Sequence, residues 1–203
     1  ENLLMGIGKD AVAIGDNAFY LGLKLSMFDV SDPANPVELH TLIIGDRGTQ
    51  SEVTWNHKAF LVDSENGLFG MPIQYCRVPE SARQDPIAYG ELIYNGFFLF
   101  DYDASAGFKL LGSVSHDKEP MDWTKPIDNY GEGVYNKGDF DWYAQIFRGV
   151  TVGDNLMTVS NRAVMVNRLD NLETLSRIEL PNAEQPYYYG AVDKGIPEPA
   201  IAD

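Results

Sequence analysis

The stretch Leu25-Ser26-Met27-Phe28-Asp29-Val30, the turn Ser31-Asp32-Pro33-Ala34-Asn35-Pro36 and then Val37-Glu38-Leu39-His40-Thr41-Leu42-Ile43-Ile44 decide the fold. Together they read as a strand, a tight polar turn and a second strand. The same pattern returns twice further along the chain, at 97–102 followed by 108–114 and at 163–168 followed by 173–180. A repeated antiparallel unit of this kind is typical of a propeller, a solenoid or a sandwich.

A predicted hairpin precedes each of the two later repeats. The first turns at Asp63-Ser64-Glu65-Asn66-Gly67, and the second turns at Gly153-Asp154. Asn-Gly and Gly-Asp sequences tolerate the positive φ that tight hairpin turns need. The result is a unit of four antiparallel strands, a to d, which is complete twice and lacks strand a in the first copy. We therefore predict an all-β chain, a β-propeller fragment of about three four-stranded blades with the first blade incomplete, and keep a β-sandwich as the alternative.

The repeats also set the predicted domain boundaries. Residues 1–45 form the blade that lacks its first strand, 46–116 a complete blade, and 117–181 a complete blade with a long acidic and aromatic insertion. Residues 182–203, which contain several prolines and Tyr187-Tyr188-Tyr189, are predicted to run as an extended tail.

Composition excludes several classes of protein. The chain has 203 residues, 44% of them hydrophobic, which is enough to build a core. A formal net charge of -15 argues against nucleic acid or an anionic membrane surface as the partner. Cys76 is the single cysteine, so no intrachain disulfide can form. No apolar run reaches the roughly 18 residues of a membrane span, so we predict no membrane insertion.

Several motifs, in this order and spacing, resemble a known family. They are Asn2-Leu3-Leu4-Met5-Gly6-Ile7-Gly8, Gly22 to Pro33, Gly45-Asp46-Arg47-Gly48, Ser51-Glu52, His57-Lys58-Ala59-Phe60-Leu61 and Arg148-Gly149-Val150-Thr151-Val152-Gly153-Asp154. They resemble the secreted bacterial and archaeal proteins with a C-terminal β-propeller domain that is distantly related to WD repeats. The resemblance implies a propeller and export, and it implies no particular activity or catalytic residue.

The resemblance and the start of the chain lead to expectations about context. The sequence opens on a strand-like segment, so we expect the C-terminal part of a longer protein, secreted or at the cell surface, whose signal peptide lies outside this fragment. Two complete blades and a partial one leave open edges. The expected partners are therefore upstream blades of the same protein or a second copy of the chain.

The lengths of the connections predict which end of the molecule carries the binding face. In a four-stranded unit the a–b and c–d turns emerge at one end, and the b–c and d–a connections emerge at the other. The long segments are 9–21, 46–56, 75–94 and 117–145, and all of them are b–c or d–a connections. Because binding residues concentrate on long loops of rigid scaffolds, this end is predicted to be the binding face.

The longest of these connections is rich in carboxylates and aromatic rings. Rings stack on the apolar faces of sugars while carboxylates accept hydrogen bonds from hydroxyl groups, which favours a glycan site. Carboxylates alone favour Ca²⁺, and a solvated loop pinned by its aromatic residues is the structural alternative. We predict no cofactor, with Ca²⁺ as the exception. The candidate ligand-binding residues are Trp123, Tyr130, Tyr135, Trp142, Asp122, Asp128, Asp139 and Asp141.

A second polar cluster is predicted close to the ring axis. It comprises Asp46, Arg47, Glu52, Trp55 and His57. In a catalytic interpretation Glu52 and His57 form a proton-transfer pair. In a structural interpretation His57 donates a hydrogen bond between blades, and Arg47 forms an ion pair with Glu52 or Asp46.

Known catalytic motifs are missing from the sequence. It contains no G-x-S-x-G, P-loop or G-x-G-x-x-G motif, and Cys76 has no CxxC partner. We therefore predict a non-catalytic binding module whose ligand, unknown from sequence, is a cell-surface polysaccharide or a protein. A glycan-active hydrolase or lyase and a purely structural domain of a larger exported protein are the alternatives.

Overall fold

The computed structural model describes residues 2–117 and 140–181, and most of this part of the chain lies in strands. The strands are β1 (Leu3–Ile14), β2 (Asn17–Asp29), β3 (Val37–Ile44), β4 (Leu61–Asp63), β5 (Leu68–Arg77), β6 (Glu91–Asp103), β7 (Gly107–Val114), β8 (Ile146–Val152), β9 (Asn155–Ser160), β10 (Ala163–Arg168) and β11 (Thr174–Glu179). Short 3-10 turns lie at Glu52–Thr54, His57–Ala59, Glu80–Ala82 and Trp142–Ala144. The predicted all-β chain is confirmed.

The strands form three antiparallel sheets in chain order. Sheet 1 has the order β1-β2-β3, sheet 2 the order β4-β5-β6-β7, and sheet 3 the order β8-β9-β10-β11. Sheets 2 and 3 have four strands and sheet 1 has three, as the sequence repeats predict. Gly67 (φ 67°) and Gly153 (φ 56°) occupy the left-handed region in the two hairpin turns that the sequence identified.

The sheets pack face to face around sheet 2, which is buried on both sides. Phe98 and Phe100 of β6 join the core shared with sheet 1, whereas Phe97 and Leu99 join the core shared with sheet 3. Successive strand residues point to opposite faces, so a strand covered on both sides reads as a continuous apolar run. The run Phe97-Phe98-Leu99-Phe100 is that pattern.

The first strand of each complete sheet lies at the inner edge of the stack. β4 contacts β8, and at the outer edge β3 contacts β7. At the end that carries the c–d turns, His40 of β3 lies 2.9 Å from the carbonyl oxygen of Ala104, which links sheets 1 and 2. The three sheets are therefore arranged radially, and their short turns lie at one end of the molecule.

The structure corrects the prediction of a long loop at 9–21. β1 and β2 continue through this segment as a paired hairpin, with a register shift between Lys9 and Ala11 and a tight turn at Gly15 (φ 59°). The sequence of 9–21 predicts a loop because this extension projects beyond the core and carries few buried side chains. The predicted connection 75–94 is likewise shorter, because β5 runs to Arg77 and β6 begins at Glu91.

The third repeat faces its neighbours differently from the second. Met165 of β10 lies in the core shared with sheet 2, and Ala163, two residues earlier on the same strand face, is also buried. Phe97, at the start of the second repeat, lies instead in the core shared with the following sheet.

Candidate functional site

Three chain connections meet at the end of the molecule opposite the c–d turns. We call this end the loop-bearing face and define it by the hairpin extension 9–21 and the connections 45–60 and 78–90. Lys9 Nζ donates a hydrogen bond to the carbonyl oxygen of Thr49, and the amide of Gly90 donates to the carbonyl oxygen of Arg47 at 2.7 Å. The connections thus support one another, although they lie outside the main core.

Arg47 is the residue that joins all three connections. Its Nη1 donates to the carbonyl oxygen of Ile87 at 2.6 Å, and its Nη2 donates to the hydroxyl of Tyr89 at 3.2 Å. The guanidinium carbon lies 4.0 Å from the centre of the Tyr89 ring and 5.5 Å from that of Phe19. A guanidinium between two rings combines cation–π attraction with hydrogen bonding. Arg47 therefore fixes Tyr89 while 68% of that residue stays exposed.

Asp46 anchors the same connection to strand β5. Its amide donates to the carbonyl oxygen of Cys76 at 2.9 Å, and its Oδ2 accepts from the amide of Val78 at 2.7 Å. Arg77 Nε lies 3.6 Å from the same carboxylate oxygen. The predicted ion pair of Arg47 with Asp46 or Glu52 is therefore wrong, because Arg77 is the cation beside Asp46.

Cys76 lies next to the Asp46 anchor, and its thiol is unreactive. The residue is 6% exposed, and burial raises the pKa of its thiol to about 11. The Asp46 carboxylate contributes in the same direction, whereas Lys9 opposes it. Because the thiolate is the nucleophilic form, Cys76 stays protonated and unreactive near neutral pH.

The inner part of the face is formed by two consecutive 3-10 turns. Ser51 caps the turn Glu52–Thr54 and Asn56 caps the turn His57–Ala59 through their side-chain oxygens. Glu52 Oε1 accepts a hydrogen bond from Asn56 Nδ2. In the described part of the chain the exposed His57 ring makes no hydrogen bond, so neither a Glu52–His57 pair nor an interblade bond of His57 is present.

The second of these turns recurs in front of sheet 3. Asp141 caps the turn Trp142–Ala144, and its Oδ1 accepts from the amide of Tyr143 at 3.0 Å. Ala59 and Ala144 are both 0% exposed, and each turn is followed closely by the first strand of its sheet. The shared pattern is Asn or Asp followed three residues later by Ala. Sequence reasoning missed this signal, which places His57 and Trp142 at equivalent positions.

The predicted glycan site is only partly inside the described residues. Trp142 is 67% exposed, and its ring lies edge-on to Phe140 at a centroid distance of 4.5 Å. Asp141 forms an ion pair with Arg162 in addition to its capping bond. Outside the described residues lie Trp123, Tyr130, Tyr135, Asp122, Asp128 and Asp139. Within residues 2–117 and 140–181, no group of three or more His, Cys, Asp or Glu side chains has the geometry to hold a metal ion.

A cavity of about 340 Å³ opens beside Arg47. Its walls include Leu21 of the hairpin extension and Val78 and Pro86 of the 78–90 connection. Asp10, Asp85 and Arg83 add charge of both signs. A concave surface with apolar walls and a few polar groups is the usual form of a ligand site. The structure thus brings Asp46 and Arg47 of the predicted cluster to a cavity that the sequence did not indicate.

His116 forms a link between sheets 2 and 3 that sequence reasoning did not assign. Its Nδ1 lies 2.7 Å from Ser160 Oγ and its Nε2 lies 2.9 Å from Thr158 Oγ1, both on β9. The residue is 3% exposed, and burial, assisted by the charge of Arg177, lowers the pKa of its imidazole to about 4. His116 is therefore neutral at physiological pH and serves as a buried hydrogen-bonded tie.

Comparison with known proteins identifies the class of this fold. The family model described as "Beta propeller domain" matches residues 1–172. The chain belongs to this family, and its three sheets are propeller blades. An uncharacterized protein of Archaeoglobus fulgidus (strain ATCC 49558 / DSM 4304 / JCM 9628 / NBRC 100126 / VC-16) is 38% identical over 72 residues, which cover 36% of this chain and 10% of that protein. The matched segment thus spans about a tenth of the length of that relative.

Among residues 2–117 and 140–181, the structure contains no helix with the length and hydrophobicity of a membrane span.

A first prediction tests the role of Arg47. Arg47→Ala removes two hydrogen bonds and the ring contacts that hold the 78–90 connection, so we expect trypsin to cleave after Arg83 several times faster and stability to fall by about 1 kcal/mol. The measurement is limited proteolysis followed by mass spectrometry. Lys58→Ala, which removes an exposed cation from the same 45–60 connection without touching 78–90, is the control. Equal cleavage rates in the two variants would contradict the assigned role.

Proposed function

We propose that the chain is a non-catalytic binding module of a secreted or cell-surface protein, and that it holds a cell-surface polysaccharide or protein through the loop-bearing face. The observation that carries this proposal is the convergence of three connections on Arg47, which holds the exposed Tyr89 ring against a rigid sheet stack. Trp55, in the connection 45–60, is 66% exposed on the same face. Large exposed rings on a fixed scaffold favour recognition of a partner.

The bonding of the carboxylates favours binding over catalysis. A glycoside hydrolase needs two carboxyl groups at a fixed separation across its substrate. The carboxylates of Asp46 and Asp141 each accept a hydrogen bond from a backbone amide and form an ion pair with an arginine. The Glu52 carboxylate accepts a hydrogen bond from the Asn56 side chain. Groups bound in this way act as structural anchors.

The outer face of sheet 3 supports the proposal that further blades accompany this chain. β9 and β10 alternate between buried and half-buried residues, and four of the five half-buried residues are apolar where a solvated face would be polar. These four are Met157, Val159, Val164 and Val166, and the fifth is Asn155. We propose that blades of the same polypeptide or a second copy cover this face. Export is supported by the resemblance to secreted propeller proteins.

Site-directed labelling tests the proposed face. Gln84→Cys places a thiol on the 78–90 connection and Asp170→Cys places one at the c–d turn of sheet 3, and both positions are exposed. Cys76 is buried and its raised pKa keeps it from reacting. After coupling to a bulky polyethylene-glycol maleimide, each protein is applied to an array of polysaccharides and an array of cell-surface proteins. We expect binding to be lost for Gln84→Cys and kept for Asp170→Cys. The reverse pattern would refute the proposed face.

A further inference from the structure

The inner part of the loop-bearing face carries a polar notch that is lined by the exposed Trp55 and by Gln145, which lies three residues after the exposed Trp142. We propose that this notch is a subsite for a neutral polysaccharide, with Trp55 and Trp142 stacking on sugar rings and side-chain amides binding their hydroxyl groups. This inference rests on the proposed binding function and names the ligand class and the residues that receive it.

The notch lies where connections from two blades meet. Trp55 forms one of its walls, and Gln145, the residue that ends the turn Trp142–Ala144, forms another. The two tryptophan-bearing turns therefore flank the same opening. Gln50 and Gln74 line it and are joined both by a backbone bridge and by a bond from Gln50 Nε2 to Gln74 Oε1.

Asn95 supplies a polar group that is unsatisfied within the described residues. The residue is 2% exposed and lines the notch, and its Nδ2 has no hydrogen-bond partner in residues 2–117 and 140–181. A buried donor without a partner costs free energy, so such groups point to a missing acceptor. The notch has a volume of about 10 Å³, which is roughly the space that one water oxygen or one hydroxyl group needs. A sugar hydroxyl that enters the notch from the face is an acceptor of suitable size.

Both tryptophans are exposed, and the backbone of each belongs to a capped 3-10 turn. Trp55 ends the capped turn Glu52–Thr54, and its amide donates to the carbonyl oxygen of Glu52 at 3.1 Å. Trp142 is fixed by the Asp141 cap and by the edge-on contact with Phe140. Trp55 is 66% exposed and Trp142 is 67% exposed, so both leave apolar surface in contact with water. A ligand that covers the rings removes this surface from water, which favours binding.

Charge selects a neutral ligand over an acidic one. Among the described residues, the lining of the notch comprises four amide side chains and a single carboxylate, that of Glu52, without an arginine. The chain as a whole carries a formal net charge of -15, which repels polyanions at low salt. Neutral sugars offer hydroxyl groups that both donate and accept, and amides match both roles.

The test measures polysaccharide binding by the wild-type chain and matched variants. The probes are the neutral polymers yeast mannan, dextran and xylan and the acidic polymer alginate, each used in affinity electrophoresis and in tryptophan fluorescence titration. We expect at least one neutral polymer to bind and to quench fluorescence, and alginate not to bind. Trp55→Ala and Trp142→Ala should each weaken binding about tenfold. Val37→Ala, which removes a 57% exposed apolar side chain beside the c–d turn at the opposite end of the molecule, is the matched control.

The possible results distinguish a failure of the notch subsite from a failure of the proposed binding function. Neutral-polymer binding that survives both tryptophan substitutions but is blocked by the label at Gln84→Cys overturns the subsite and leaves the binding face intact. Alginate binding, or binding to a protein array alone, also overturns the subsite. A wild-type chain that binds nothing on either array removes both proposals. Unchanged melting temperatures of the two tryptophan variants exclude unfolding as the cause of a loss.

Discussion

Replacing Phe97 by alanine is expected to lower the free energy of unfolding by about 3–5 kcal/mol, the range for large aromatic truncations in a core. The Phe97 ring is 0% exposed and fills the space between sheets 2 and 3. A Cβ atom added at Gly149 would lie 2.3 Å from this ring, and one added at Gly70 would lie 2.4 Å from it. The two glycines thus make room for a single ring, which is why the interface depends on Phe97.

The same geometry predicts compensation between Phe97 and Gly149. Gly149→Val alone is expected to destabilise by about 1–3 kcal/mol through overpacking. In the double variant Phe97→Ala/Gly149→Val, the valine occupies part of the vacated space, so the combined loss should be smaller than the sum of the two single losses. Chemical denaturation of the four proteins measures the coupling. Phe28→Ala, at a half-buried ring of sheet 1, is the control that should not couple. Strict additivity with Gly149→Val would contradict the packing described.

Acid should destabilise the chain through His116. The pKa of its imidazole is about 4 in the folded chain and about 6.5 when unfolded, so between these values the unfolded state binds more protons. Stability therefore falls as pH drops from about 6.5 to about 4, by roughly 3 kcal/mol if His116 acts alone. The physical reason is that an imidazolium in this place would be buried beside Arg177.

The measurement that isolates this effect is denaturant unfolding of matched histidine variants across the same pH range. His116→Asn should be less stable near neutral pH, because the hydroxyls of Thr158 and Ser160 lose their partner. The stability gap between wild type and this variant should then narrow toward pH 4. His57→Asn changes an exposed ring and should follow the wild-type curve. A gap that stays constant with pH would show that His116 does not titrate in this way.

The parts of the fold that follow from local patterns could be predicted from the sequence. The apolar run at Phe97 and the turn at Asn66-Gly67 each have a local physical cause, and they led to antiparallel strands and to the count of sheets. The family match over residues 1–172 is in line with the predicted propeller class.

The site depends on contacts between distant residues and was harder to predict. The sequence singled out Asp46 and Arg47 but gave them the wrong partners, because Arg77 and Tyr89 reach them only after the connections fold together. It treated 9–21 as a loop, although pairing extends the hairpin. Of the predicted glycan-binding residues, Trp142 and Asp141 lie in the described ranges, and their roles as ligand contacts remain predictions.

The central claim is that ligand binds at the loop-bearing face, and hydrogen–deuterium exchange tests it most directly. The exchange of each backbone amide is compared between the free chain and the chain saturated with the neutral polysaccharide that binds best. We predict protection in 45–60, 78–90 and 142–146, with no change at the turns 31–36 and 169–173. Protection confined to those turns, with 45–60, 78–90 and 142–146 unchanged, would contradict the account.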